Sequence, residues 1–199
     1  MVEKLRIPIS RIFVCLLIVF ICVSDNLWKD KSQIVTTILF VLGVVLVGIA
    51  TLGRLWCSVY IAGYKTDHLV TQGPYSMCRN PLYFFSLLGA LGVGFFSETF
   101  LIPLVIIIAF SVYYLFVIKS EEAELTKLHK SEFEIYLKKV PRFLPKSSLM
   151  NEPEKYLVRP IVIRRHMFDA LWFIWFLGVF KLIETFRELK VLPTIFKIY

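Results

Sequence analysis

Three histidines and four cysteines are all that 199 residues supply as imidazole and thiolate metal ligands. His68, His129 and His166 have no metal-ligand spacing, so no metal is expected. Cys15, Cys22, Cys57 and Cys78 form no Cys-x-x-Cys pair and read as buried thiols rather than a disulfide framework. Charge is scarce as well. Charged residues make up 19% of the chain against 57% hydrophobic, and the mean hydropathy of +0.70 is far too apolar for a soluble domain of this length. No RNA- or DNA-binding module is visible, which excludes nucleic acid as the reason for the net charge of +8.

Long apolar runs are what the chain has instead, and they imply an all-α integral membrane protein folded as one domain over residues 1–199. Residues 7–23, 34–52, 82–96 and 101–118 each come close to the 30 Å or so of hydrocarbon that a helix must cross, at about 1.5 Å per residue. A fifth run, 167–183, is interrupted by Asp169 and Lys181 and fits a span or a helix lying at the interface. Only four residues separate the third and fourth runs, so these are expected to form a tight hairpin, with Gly89, Gly92 and Gly94 allowing close approach. The first run also fits a cleavable signal peptide, ending in Cys22-Val23-Ser24.

Basic residues orient the spans. Lys4, Arg6 and Arg11 precede the first run, Arg54, Lys65 and Arg79 lie in the loop 53–81, and eleven basic residues lie in the polar segment 119–166. The opposing loops carry Lys29 and Lys31 in one case and none in the other, so the N-terminus and the polar segment are predicted to be cytoplasmic. Attraction to anionic headgroups is a secondary consequence of the same charge.

A polar stretch abuts the third span. Gly73-Pro74-Tyr75-Ser76-Met77-Cys78-Arg79-Asn80-Pro81-Leu82-Tyr83 holds an arginine, an asparagine, two tyrosines and two prolines where unpaired polar groups are costly. Pro81 suits the first turn of a helix, which leaves Arg79 beside a helix N-terminus that favours an anion or a carboxylate. Read structurally, Arg79 snorkels to headgroups while Pro81 starts a helix. Lys119-Ser120-Glu121-Glu122-Ala123-Glu124 reads as a solvated helix start capped by Ser120. Leu125, Leu128, Phe133 and Tyr136 continue an apolar stripe that ends at Val140-Pro141-Arg142-Phe143-Leu144-Pro145.

Taken in order, Leu-Val-Thr-x-Gly-Pro-Tyr-x-x-x-Arg-Asn-Pro-Leu-Tyr, a short hairpin, Glu-Glu-x-x-Leu, Phe-x-x-Tyr and Val-Pro-Arg-Phe-Leu-Pro resemble the isoprenylcysteine carboxyl methyltransferase family over about Gly63 to Pro145. The related membrane phospholipid methyltransferases look similar. The resemblance implies S-adenosylmethionine as methyl donor, bound at the cytoplasmic membrane face, and a membrane lipid or lipophilic small molecule as acceptor, methylated on a carboxylate, thiol or amine. It places Asp67, His68, Leu69, Val70, Tyr75, Asn80, Pro81, Leu82 and Tyr83 along the cofactor pocket and matches Glu121 to the family's cofactor-binding glutamate. Arg79 then suits the methionyl carboxylate, and Tyr83, His68 and Glu122 are the candidate bases for an amine acceptor. Asn80 stands where the eukaryotic motif has histidine. Val117 stands where those enzymes carry a substrate-binding arginine, four residues before Glu121, so prenylcysteine is not the expected acceptor. Membrane sterol-type reductases share an arginine-proline-tyrosine motif and would imply NADPH, but there the tyrosine precedes Gly-Glu and here Tyr83 precedes Phe84-Phe85. A non-catalytic membrane scaffold would bind neither cofactor.

Overall fold

The computed structural model describes residues 2–62, 64, 68–193 and 195–198, with backbone alone at 2–11, 13 and 30. It is an all-α membrane protein. The elements run α1 (Val2–Val23), β1 (Ser24–Asn26), α2 (Trp28–Lys31), α3 (Gln33–Ile61), α4 (Pro74–Met77), α5 (Pro81–Phe96), α6 (Leu101–Lys139), α7 (Pro160–Glu188) and β2 (Phe196–Ile198), with a single 3-10 turn at Ser147–Leu149. Among the described residues α3, α6 and α7 are long and apolar enough to cross a membrane, while Val14–Val23 and α5 are shorter apolar helices. Their apolar windows are only 33%, 28% and 17% buried within the protein, which leaves most of their surface for lipid.

Three of these helices run past the apolar stretches that marked them: α3 ends at Ile61 rather than at 52, α7 covers Pro160–Glu188 rather than 167–183, and α6 extends furthest. The hydropathy of α6 falls at Lys119, yet the helix runs on through Ser120 and, across a kink, to Lys139, so Ser120 caps nothing. No proline or glycine interrupts Lys119–Lys139, and lysine, glutamate and leucine are good helix formers, so the change of solvent does not end the helix. A kink comes later, at Lys130, whose φ of 44° and ψ of −119° are not helical. It resets the apolar face: Phe133 and Tyr136 are buried with Leu125 against them, while Leu128 stays exposed. In α7 the charges Asp169 and Lys181 do not break the helix, and its 29 residues reach about 43 Å.

The chain divides into two compact units. The first comprises 1–47, 90–113 and 173–199. Its helices meet through small residues: a Cβ at Gly43 would lie 2.7 Å from the Gly92 carbonyl oxygen and 2.8 Å from the Phe96 nitrogen. Gly92 therefore serves the packing of α5 on α3, and it is Gly94 that approaches α6, at Pro103 and Ile106. Phe96 stacks on Phe40 at 4.8 Å and meets Phe180 edge-on at 6.4 Å. In the same unit β1 pairs in parallel with β2, Ser24 opposite Phe196 and Asn26 opposite Ile198. Arg187 bonds Asp25 Oδ1 at 3.1 Å and the Ile21 carbonyl at 2.6 Å.

The second unit comprises 48–89 and 114–172, which brings the loop before α5 and the polar segment after α6 into one body. Backbone bonds stitch the two segments together. Arg79 N–H donates to the Pro141 carbonyl at 2.9 Å, Lys146 N–H to Met77 at 3.0 Å and Gly73 N–H to Asn151 at 2.9 Å. Asn151 N–H donates to Ser76 Oγ at 2.9 Å, and the Tyr136 hydroxyl to the Tyr75 carbonyl at 2.6 Å. Glu152 accepts from Trp56 Nε1 and the Tyr60 hydroxyl, and the Tyr156 hydroxyl donates to the Tyr60 carbonyl. Each bond satisfies a polar group that lipid could not.

Candidate active site

The carboxylates of Glu121 and Glu122 leave α6 about 100° apart, as neighbours on a helix must. Glu121 accepts a hydrogen bond from the Tyr83 hydroxyl at 2.8 Å, which ties α6 to the first turn of α5. Tyr114, two turns before Glu121 and so on the same face of α6, meets the Tyr83 ring edge-on at 4.9 Å. Glu122 points elsewhere and is held by two guanidiniums. Arg142 donates from Nη2 at 2.6 Å and from Nε at 3.3 Å, and Arg79 Nη2 lies 3.4 Å away. Paired in this way, the carboxylate clamps both arginines.

Arg142 is fixed in turn by its backbone, since its carbonyl oxygen accepts from the Asn80 amide at 2.9 Å. Asn80 and Pro81 open α5, where the proline gives up no backbone bond. Arg79 is drawn in by its own N–H to Pro141, and its side chain is only 12% exposed. Its Nε is buried with no hydrogen-bond partner among the described residues, and so is the Tyr75 hydroxyl. A buried donor left unmatched is costly unless a ligand takes it. Burial and anionic neighbours push the Tyr75 phenol well above its ordinary pKa, which keeps it a neutral donor. Burial likewise pushes the Cys78 thiol up to about 12, so it is not a nucleophile at neutral pH.

Five of the residues expected at the site thus fall into two hydrogen-bonded sets, Tyr83 with Glu121, and Arg79 and Asn80 with Glu122 through Arg142. Val70 and Leu82 pack on the cluster of Cys57, Tyr60 and Tyr75, and Leu69 packs on Phe133, Tyr136 and Val140. His68 is exposed and stacks on Tyr64 at 6.1 Å. Asp67 lies outside the described residues. Arg142 and Tyr114 were not expected at the site. The signals were an arginine fixed between Pro141 and Pro145, and a tyrosine seven residues before Glu121.

The phospholipid methyltransferase family model matches residues 32–132, a range that includes α3, α5, Arg79, Tyr83, Tyr114 and both glutamates. The chain belongs to the phospholipid methyltransferase family. Two relatives are similar along nearly their whole length. The nickel-cobalt-cadmium resistance protein NccN of Alcaligenes xylosoxydans xylosoxydans is 36% identical over 189 residues, covering 95% of this chain and 87% of that protein. The cobalt-zinc-cadmium resistance protein CzcN of Cupriavidus metallidurans is 34% identical over 190 residues, covering 96% and 87%. No solved structure matches the chain. Among the described residues no group of three or more His, Cys, Asp or Glu side chains is arranged to hold a metal ion.

Proposed function

We propose that this membrane protein is an S-adenosylmethionine-dependent methyltransferase whose acceptor is lipophilic and reaches the site from the bilayer. The observation that carries the reading is the pair of bonded sets, Tyr83 with Glu121 and Arg79 with Glu122, with the Arg79 Nε and the Tyr75 hydroxyl buried and unmatched, in a chain of this family. The donor set fits the cofactor: Arg79 is suited to its carboxylate, Glu121 to its ammonium or ribose hydroxyls, and the tyrosine rings to its purine. When bound, the cofactor supplies a sulfonium-activated methyl group.

The chain's own residues then align the reactants and exclude water. Glu122 holds Arg79 and Arg142 in place. Tyr83 orients Glu121. A displacement from a good leaving group needs no dedicated base when the acceptor already carries a lone pair free of a proton. The basic N-terminus and polar segment support a cytoplasmic site. On this reading a part in metal resistance, of the kind the names of the two relatives describe, would be exercised through the methylated acceptor.

Calorimetry of the detergent-purified protein with S-adenosylhomocysteine and with NADPH tests the proposal. Saturable binding of the first and none of the second is expected. Binding of NADPH alone would favour a reductase, and binding of neither a scaffold.

A further inference from the structure

A charge sits beside this site within an apolar helix. Arg54 belongs to α3, and its guanidinium donates from Nη1 to the hydroxyl of Ser86 on α5. Ser86 lies one turn beyond Tyr83 on the same face of α5. Its own proton goes to the Leu82 carbonyl at 2.6 Å, so toward Arg54 the hydroxyl is an acceptor and its orientation is set. Tyr114, whose ring meets Tyr83, is also within electrostatic reach of Arg54, as is Asp169. The neighbouring residue explains why the arginine faces α5. A Cβ at Gly53 would overlap the Phe85 ring, so α3 and α5 are in close approach there.

We propose that Arg54 anchors the acceptor by binding an anionic group, a phosphate or a carboxylate, on the amphiphile that is methylated. The proposal rests on the methyltransferase reading and deepens it. A guanidinium carried by an apolar helix is expensive to bury and marks a candidate ligand contact. A guanidinium carries N–H donors in a planar fork, so it can hold the Ser86 hydroxyl and an oxyanion together.

The test uses the full chain in neutral detergent with oleate, phosphatidic acid and phosphatidylcholine as probes. Retained lipid is counted by native mass spectrometry, and the S-adenosylhomocysteine affinity is measured on the same samples. Preference for an anionic probe over phosphatidylcholine by about tenfold is expected. Preference for oleate alone identifies a carboxylate, and preference for phosphatidic acid alone a phosphate ester. Arg54→Gln should abolish the preference and leave S-adenosylhomocysteine binding unchanged, Arg54→Lys should keep part of it, and Lys127→Gln, on the exposed side of α6, should keep all of it. A folded Arg54→Gln with undiminished preference, or a wild-type protein with none, overturns the proposal. Failure of the wild-type protein to bind S-adenosylhomocysteine overturns the methyltransferase reading instead. Where Arg54→Gln does not fold, Ser86→Cys decides: oleate or phosphatidic acid should slow alkylation of the new thiol, followed by peptide mass spectrometry. Equal rates with and without either probe refute the anchor.

Discussion

Glu121 and Glu122 are adjacent in the chain yet serve different partners, and their substitutions should separate accordingly. Glu121→Gln keeps size and loses charge, so S-adenosylhomocysteine affinity should fall about ten- to a hundredfold, the worth of a charge-assisted bond. Unchanged affinity in the folded variant would remove Glu121 from the cofactor site. Arg142→Gln should act on stability, because it leaves the largely buried Glu122 with Arg79 alone. A loss of about 1–3 kcal/mol, seen as a lower melting temperature, is expected, and the double variant with Glu122→Gln should recover part of it. If the double variant is no better than the single one, the clamp is not what stabilises this corner. The motif order in the sequence pointed to Arg79, Tyr83 and Glu121, but Arg142 read only as part of a helix stop. Its partner lies twenty residues back across the kink at Lys130, a pairing that no helical periodicity encodes.

Helices were legible where hydropathy tracks structure and misread where it tracks only solvent. The apolar runs located α5 and the starts of α3 and α6, but α3 goes on to Ile61 past the expected end at 52, and beyond the drop at Lys119 α6 goes on, kinked at Lys130, to Lys139. Glycine spacing showed that close packing exists without showing its partner, since small residues fit more than one neighbour. The close approach is testable at Gly43 and Gly92, where an added methyl would meet backbone that cannot move aside. Gly43→Ala should lower the melting temperature sharply. Gly48→Ala, five residues on and facing open space, should leave it unchanged or slightly raised. Equal effects at both positions would show that helix propensity, not contact, governs this face.

For the molecule as a whole, charge asymmetry predicts a sidedness that labelling can read. Cysteines placed at Asp30 and Ser148, in a background without the native thiols, should react from opposite sides of sealed cells, with Ser148 shielded until the membrane is permeabilised. Equal access from outside would reverse the assignment. At the turn between α5 and α6, the half-buried Glu98 accepts from the Asn26 amide at 3.1 Å. Burial raises its pKa, Glu184 adds to the shift and Lys29 opposes it, so the folded state holds the proton more tightly than the unfolded chain. The stabilising contribution is complete below the ordinary carboxylate range and is lost as pH rises through the raised value. Glu98→Gln should therefore raise the melting temperature near pH 7, with the gain shrinking toward about pH 4. A gain independent of pH would exclude titration of this group. The pairing of β1 with β2 also imposes a timetable. Residues 24–26 leave the ribosome some 170 residues before 196–198, a delay of roughly 10–30 s at ordinary synthesis rates. Throughout that interval the strand following α1 waits without its partner, so a nascent chain stalled near Lys190 holds its inserted helices while its first unit is still unlatched. A reporter fused after Tyr199 would report synthesis of the second strand, and one that senses the latch would report its pairing.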